Sequence, residues 1–215
     1  MRVMAKVNWL RAAIASLMVV GIALASGSPV AAGSVTTGAA GTREATSPGP
    51  VAYVANSGCC TVTPIRTASN TPGAKIRVGV TPWKIAITPN GATAYVTNND
   101  SATVTPISTA TNKPGRAIRV GSGPGGIAIT PDGATAYVTN DLAGTVTPIN
   151  TATNKPGPAI IVGNQPFRIG ITPNGRTAYA VNEGAGTVTP ISTATNTPRS
   201  AIKVGSGPEA IAITP

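Results

Sequence analysis

The four tyrosines of this chain stand at Tyr53, Tyr95, Tyr137 and Tyr179, and each step between them is 42 residues. Other positions keep the same step: Asn70, Asn112, Asn154 and Asn196, and Pro64, Pro106, Pro148 and Pro190. A fixed period of this size restricts the fold to a solenoid, a propeller or a linear array. The content of the unit narrows the choice. Gly (25) and Pro (20) are abundant, while charged residues are 10% and aromatics 3%. Small and β-branched residues between such punctuation favour many short strands over helices.

One unit, residues 123–164, reads as four strands. GPGGIAIT is the first, and Pro131-Asp132-Gly133 is a hairpin turn. TAYVTN is the second strand, TVTPINT the third and AIIVG the fourth, with turns at Asp141–Gly144 and Asn154–Gly157. Four short antiparallel strands in a unit of ~40–45 residues describe one propeller blade. The phrase AYVTN falls on the second strand, so Tyr and Thr share one face and Ala and Val the other. Both faces of a blade pack on neighbours, which makes the phrase a scaffold part. Its Asn is expected to open a turn and bond the local backbone. The recurring Pro of the third strand removes a ladder donor. That leaves two solutions, a repeated bulge or an outer strand that pairs only in part.

These motifs resemble the YVTN family of β-propeller repeats. Tyr95-Val96-Thr97-Asn98 and Tyr137-Val138-Thr139-Asn140 carry the name motif, and Pro131-Asp132-Gly133 the hairpin. Gly-x-x-Pro precedes the first strand at Gly79–Pro82, Gly121–Pro124, Gly163–Pro166 and Gly205–Pro208. The resemblance covers residues 51–215 and implies an all-β fold of four-stranded antiparallel blades. It implies a secreted or surface protein of bacterial type and assigns no particular ligand. The third strand departs from the family, with TVTPI in place of TVSVID and no Asp after it.

Strand counting bears on closure. The repeats run from a second strand (Val51–Asn56) to a first strand (Glu209–Pro215), sixteen strands or four sets of four. They form either a closed four-blade ring or an arc of a larger propeller, which a second copy could complete as a homo-oligomer.

Residues 1–32 belong to another class. Arg2, Lys6 and Arg11 precede the apolar run Ala12–Ala25, which is shorter than the ~20 residues of a spanning helix. This is the pattern of a secretory signal peptide, cleaved after Ala25 or, preferably, Ala32. No integral membrane span is expected after cleavage. Residues 33–50 have the composition of a flexible linker. The chain without its signal carries 13 Lys/Arg against 6 Asp/Glu, a net +7. That charge favours anionic partners such as nucleic acid or acidic glycans.

Chemistry is sparse. The chain has no His, which removes His-based triads and the usual zinc sites. Six acids, one per blade at best in the turns, are few for calcium. Gly121–Gly126 spells G-x-G-x-x-G, but a strand follows where a dinucleotide site needs a helix. Cys59 and Cys60 are adjacent and poorly disposed to bond to each other. No cofactor is expected. The informative positions are those where the copies differ, directly after the Pro of each first strand. They read Trp83-Lys84, Gly125-Gly126, Phe167-Arg168 and Glu209-Ala210. In a propeller they stand at one mouth of the channel, where aromatics stack on sugars or bases and cations hold phosphate or carboxylate. Trp83, Lys84, Phe167, Arg168 and Glu209 are therefore the candidate ligand-binding residues. A second basic register, Arg77, Arg119 and Lys203, falls on the outer strand, where charge guards a sheet edge or meets a polyanion. The expected function is a secreted, non-enzymatic binding or scaffold module of the cell envelope or extracellular space. The alternatives are a polyanion binder and a lactonase-like propeller hydrolase.

Overall fold

The computed structural model describes residues 49–215. The segment expected as a signal peptide and nearly all of the expected linker lie outside the described residues. Four antiparallel sheets follow one another along the chain. Blade 1 holds β1 (Val51–Asn56), β2 (Thr61–Arg66), β3 (Thr71–Pro72) and β4 (Ile76–Arg77). Blade 2 holds β5 (Pro82–Ile87), β6 (Thr93–Asn98), β7 (Thr103–Ser108) and β8 (Ile118–Arg119). Blade 3 holds β9 (Pro124–Ile129), β10 (Thr135–Asn140), β11 (Thr145–Asn150), β12 (Lys155–Pro156) and β13 (Ile160–Ile161). Blade 4 holds β14 (Pro166–Ile171), β15 (Thr177–Asn182), β16 (Thr187–Ser192), β17 (Thr197–Pro198) and β18 (Ile202–Lys203). The inner strands β5, β9 and β14 touch in succession, so the sheets are arranged like propeller blades around a common side. No helix among the described residues is long and apolar enough to cross a membrane.

The sheets are held by three equivalent cores. Tyr53, Val62 and Ile76 of blade 1 pack on Ala94, Val96 and Ile107 of blade 2. Tyr95, Val104 and Ile118 pack on Ala136, Val138 and Ile149, and Tyr137, Val146 and Ile160 on Ala178, Ala180 and Ile191. The tyrosines of blades 1 to 3 also make a polar link across the same boundaries. The Tyr53 hydroxyl donates to Asn112 Oδ1 at 2.6 Å, Tyr95 to Asn154 at 2.7 Å and Tyr137 to Asn196 at 2.6 Å. The acceptors sit in the left-handed region, at φ 54–55°, which Asn tolerates at a tight turn. The common 42-residue step of Tyr and Asn is thus one inter-blade hydrogen bond, written repeatedly.

The asparagine that ends the phrase works differently from the expected backbone turn. Asn98 is fully buried and donates through Nδ2 to the hydroxyls of Thr103 (3.1 Å) and Thr105 (2.9 Å). Its Oδ1 accepts the Gly79 N–H at 3.1 Å. The side chain therefore clasps two strands and the connection between blades. A Cβ on Gly79 would lie 2.7 Å from Asn98, which is why glycine stands there. Asn140 and Asn182 repeat the two threonine contacts.

The prolines of the third strand resolve in favour of partial pairing. Pro64 faces Tyr53 on one side and accepts the Gly73 N–H at 2.7 Å on the other. With no N–H of its own to return, the outer strand breaks there into β3 and β4. The fourth strand read from AIIVG is accordingly short, two residues at Ile160–Ile161. A second difference concerns Glu209–Pro215, expected as a first strand. These residues form no strand, because no described strand pairs with them. Strand β1 is likewise paired on one edge, to β2.

Candidate functional site

Each inner strand opens at the same rim with a buried proline. The pairing register then shifts between Pro82 and Ile85 and between Pro166 and Arg168. Such bulges at a strand start re-aim the side chains they carry. The threonine of the repeated phrase fixes this irregular backbone. Thr97 Oγ1 accepts the Lys84 N–H at 3.0 Å and donates to the Gly125 carbonyl at 3.1 Å, tying blade 2 to blade 3. Thr139 Oγ1 accepts the Gly126 N–H at 2.7 Å. Blade 4 has Val181 at this register, opposite Arg168, so the hydroxyl is lost beside one of the candidate residues.

The two glycines of blade 3 let its neighbours meet. A Cβ on Gly126 would lie 2.9 Å from the Phe167 carbonyl oxygen and 3.1 Å from Arg168 Cα. With hydrogen in that place, β14 closes on β9, and the Phe167 ring reaches Trp83 of blade 2. The ring centroids are 6.5 Å apart at an interplanar angle of 56°, a tilted pair. Arg168 Cζ stands 4.0 Å from the Phe167 centroid, within cation–π range. Trp83 Nε1 is buried and without a hydrogen-bond partner among the described residues. Buried indole N–H groups ordinarily find an acceptor.

The electrostatics are mixed. Burial, reinforced by the Arg168 charge, holds the Lys84 ammonium below its ordinary range. Burial also lowers Arg168, while Glu209 and Glu183 push it back up. Burial raises the Asp141 carboxyl, with the Glu183 charge adding to it. Asp100 accepts a hydrogen bond from the Thr81 hydroxyl at the same rim. All five candidates thus fall in one neighbourhood: Trp83 against Phe167, Arg168 on Phe167, and Lys84 and Glu209 within electrostatic reach of Arg168. Glu183 and Asp141 belong to the neighbourhood as well and were not singled out from sequence. Strand order carried the signal. In an antiparallel blade the second strand returns to the rim where the first begins, so the following turn flanks the mouth.

The other candidates lie apart from this rim cluster. Arg77, Arg119 and Lys203 are exposed on the outer strands, opposite Thr61, Thr103 and Thr187. Ile161 takes the register in blade 3 and is 78% exposed. Cys59 and Cys60 are free thiols. Cys60 has φ 55°, the left-handed turn position that Ala102, Gly144 and Gly186 fill elsewhere. Strand β9 begins inside Gly121–Gly126, at Pro124, and runs on to Ile129, so the motif leads into a strand as the sequence indicated.

Among solved structures the chain is similar to hydrazine synthase of Kuenenia stuttgartiensis. The TM-score is 0.69 and the identity 27%, over 74% of this chain and 47% of that one. It is also similar to a functionally unknown protein from Desulfotomaculum acetoxidans, with TM-score 0.62 and 23% identity, over 74% and 53%. The chain spans about half the length of each. The likeness is one of fold, β-propeller-like and all-β. No protein-family model matches the chain, and no curated protein matches it.

Proposed function

We infer that this chain is a YVTN-type β-propeller module of the secreted or cell-envelope class. It acts by binding rather than by catalysis, and its mouth takes an acidic saccharide. One observation carries the reading: the Trp83–Phe167 pair with Arg168 stacked on it, assembled at positions where the repeats diverge. Aromatic faces accept the apolar face of a sugar ring, and Arg168 and Lys84 supply donors for its carboxylate. Asp141, Glu183 and Glu209 beside these cations favour a small ligand with hydroxyl donors over a long uniform polyanion. The absence of His from the sequence supports a non-enzymatic role. No chemistry is carried over from the hydrazine synthase, whose likeness concerns the fold.

The test is binding of uronic-acid oligosaccharides to the wild type and to a Trp83→Ala, Phe167→Ala double variant. Saturable binding that the double variant loses supports the site. Equal binding by both proteins removes it, and turnover of a lactone panel would replace it with a hydrolase. A second reading rests on the exposed register Arg77, Arg119 and Lys203: a polyanion bound along the outer strands. Its mark is an affinity that falls steeply with salt and is insensitive to the double variant.

A further inference from the structure

The hairpins between first and second strands stand at the end of the blades opposite the mouth. This rim repeats its main-chain bonds from blade to blade, but two side chains on blade 4 depart from the other copies. Ala92 and Ala134 give their N–H groups to Asn90 and Asp132 Oδ1 at 3.0 and 2.9 Å, and Arg176 gives its own to Asn174 Oδ1 at 3.0 Å. Gly73, Gly115 and Gly157 donate to the third-strand proline carbonyls at 2.7–2.8 Å, and Arg199 does the same to Pro190 at 2.8 Å. A Cβ on those glycines would stand 3.1–3.2 Å from a proline ring, so packing favours glycine at this register. Both arginines therefore serve the scaffold through their main chains, and the scaffold has no use for their guanidinium groups.

The two arginines line one cavity of about 690 Å³. Pro131 and Asp132 contribute to it from blade 3, and Ser192 and Thr193 from blade 4. This boundary is an internal one. The Tyr137 hydroxyl of blade 3 donates to Asn196, in the turn before Arg199, and β13 touches β17. The Thr193 N–H donates to the Arg176 carbonyl at 3.1 Å and its hydroxyl to the Gly175 carbonyl at 2.6 Å, so the wall that carries Arg176 is fixed. Asp132 receives the Thr130 hydroxyl and the Ala134 N–H, both on Oδ1, and these bonds hold its carboxyl below the ordinary range. It stays ionised, and Oδ2 remains to accept a hydroxyl.

We propose that this cavity is a second binding site, for the phosphomonoester of a small hydroxylated compound such as a sugar phosphate. Arg176 and Arg199 hold the phosphoryl group, and Ser192 adds a hydroxyl. The charge selects the group. A carboxylate is matched by one guanidinium fork. A phosphomonoester carries about −1.5 to −2 charge at neutral pH and three acceptor oxygens, enough for two forks. Asp132 accepts a hydroxyl from the body of the ligand and repels a second anionic group, which disfavours a long polyanion. The volume suits such a compound, since small-molecule pockets run from about 300 to 1,000 Å³. The site lies away from Trp83 and Phe167 and does not depend on what the mouth binds.

The experiment restores the residues of a neighbouring blade. In the full chain, Arg176→Ala with Arg199→Gly gives blade 4 the letters that blade 3 has at Ala134 and Gly157, so the β circular dichroism should not change. Calorimetry with glucose 6-phosphate should show saturable binding to the wild type. That affinity should fall at least tenfold in the double variant and stay the same in the Trp83→Ala, Phe167→Ala chain. It should also rise between about pH 5 and pH 7, as the phosphate loses its second proton near pH 6. No saturable binding, equal affinity of wild type and double variant, or equal affinity for glucose itself would overturn the proposal. So would a flat pH profile, which would remove the dianion as the recognised species. Binding lost in the Trp83→Ala, Phe167→Ala chain and kept in the double variant would overturn it too, by placing the phosphate at the mouth.

Discussion

The two rims of the blades solve opposite problems. At the hairpin rim the copies repeat one solution. Thr88, Thr130 and Thr172 each donate to the Asn90, Asp132 or Asn174 side chain two residues on. Gly91, Gly133 and Gly175 turn at φ 70–74°. Thr109, Thr151 and Thr193 donate to those glycine carbonyls at 2.6 Å each. These turn groups find their partners within the turn and the next hairpin. At the mouth rim the residues that follow each opening proline are Trp83, Gly125, Phe167 and Glu209, and the differences converge. Large rings from blades 2 and 4 touch because blade 3 supplies glycine between them. A repeat protein can vary one rim freely only if the bonds beneath it are fixed. Here the Asn that ends every copy of the phrase, and the Thr of blades 2 and 3, fix them.

The largest way to break this contrast is to remove the repeated part beneath the mouth. Asn98→Ala strands two threonine hydroxyls and the Gly79 N–H inside the protein. The expected loss is about 2–4 kcal/mol of unfolding free energy, read by urea denaturation. A loss below about 1 kcal/mol would mean that the clasp is not structural.

The next effect comes from the varied part. Gly126→Ala places a methyl against the Phe167 carbonyl and Arg168 Cα, for an expected cost of about 1–3 kcal/mol. It should also separate Phe167 from Trp83, visible as a change in Trp83 fluorescence. An unchanged spectrum would show that the close approach of β9 and β14 is not what pairs the rings. At the opposite rim, Thr130→Val should cost about 1 kcal/mol and leave ligand binding untouched. Altered binding in that variant would erase the distinction between the rims.

The smallest effect is electrostatic. Burial, followed by the Glu183 charge, raises the Asp141 carboxyl above its ordinary 3.8 in the folded chain. A carboxylate raised on folding supports stability below its unfolded pKa and loses that support as pH rises through the folded value. Asp141→Asn should therefore raise the melting midpoint at pH 7 by about 1–2 °C, an amount kept small because the carboxyl is only partly buried. The gain should vanish below about pH 4, where the native carboxyl is neutral in both states. A gain that persists in acid would assign the effect to something other than charge.

Much of this organisation can be read from the letters. The period sets the blade boundaries, the Pro-Asp-Gly turns place the hairpins, and internal comparison singles out Trp83, Lys84, Phe167, Arg168 and Glu209 as positions where the copies differ. Three features could not be read. The split outer strand depends on which side of the ladder Pro64 faces, and proline alone leaves that open. The buried role of Asn98 depends on two threonines across a strand pair, whereas a terminal Asn in isolation points to a turn. Glu209–Pro215 has the letters of a strand, but a strand exists only with a partner, and no described strand pairs with it. Glu183 and Asp141 were legible in principle, since antiparallel order returns their turns to the mouth.

The most direct test of the central claim uses the chain's own reporter. The sequence contains two tryptophans, Trp9 and Trp83, so a Trp9→Phe chain leaves Trp83 as the single fluorophore. Titration with uronic-acid oligosaccharides should give a saturable change in Trp83 emission that Arg168→Ala and Phe167→Ala each abolish. Binding detected by calorimetry while Trp83 emission stays constant would contradict the account and place the ligand away from the mouth.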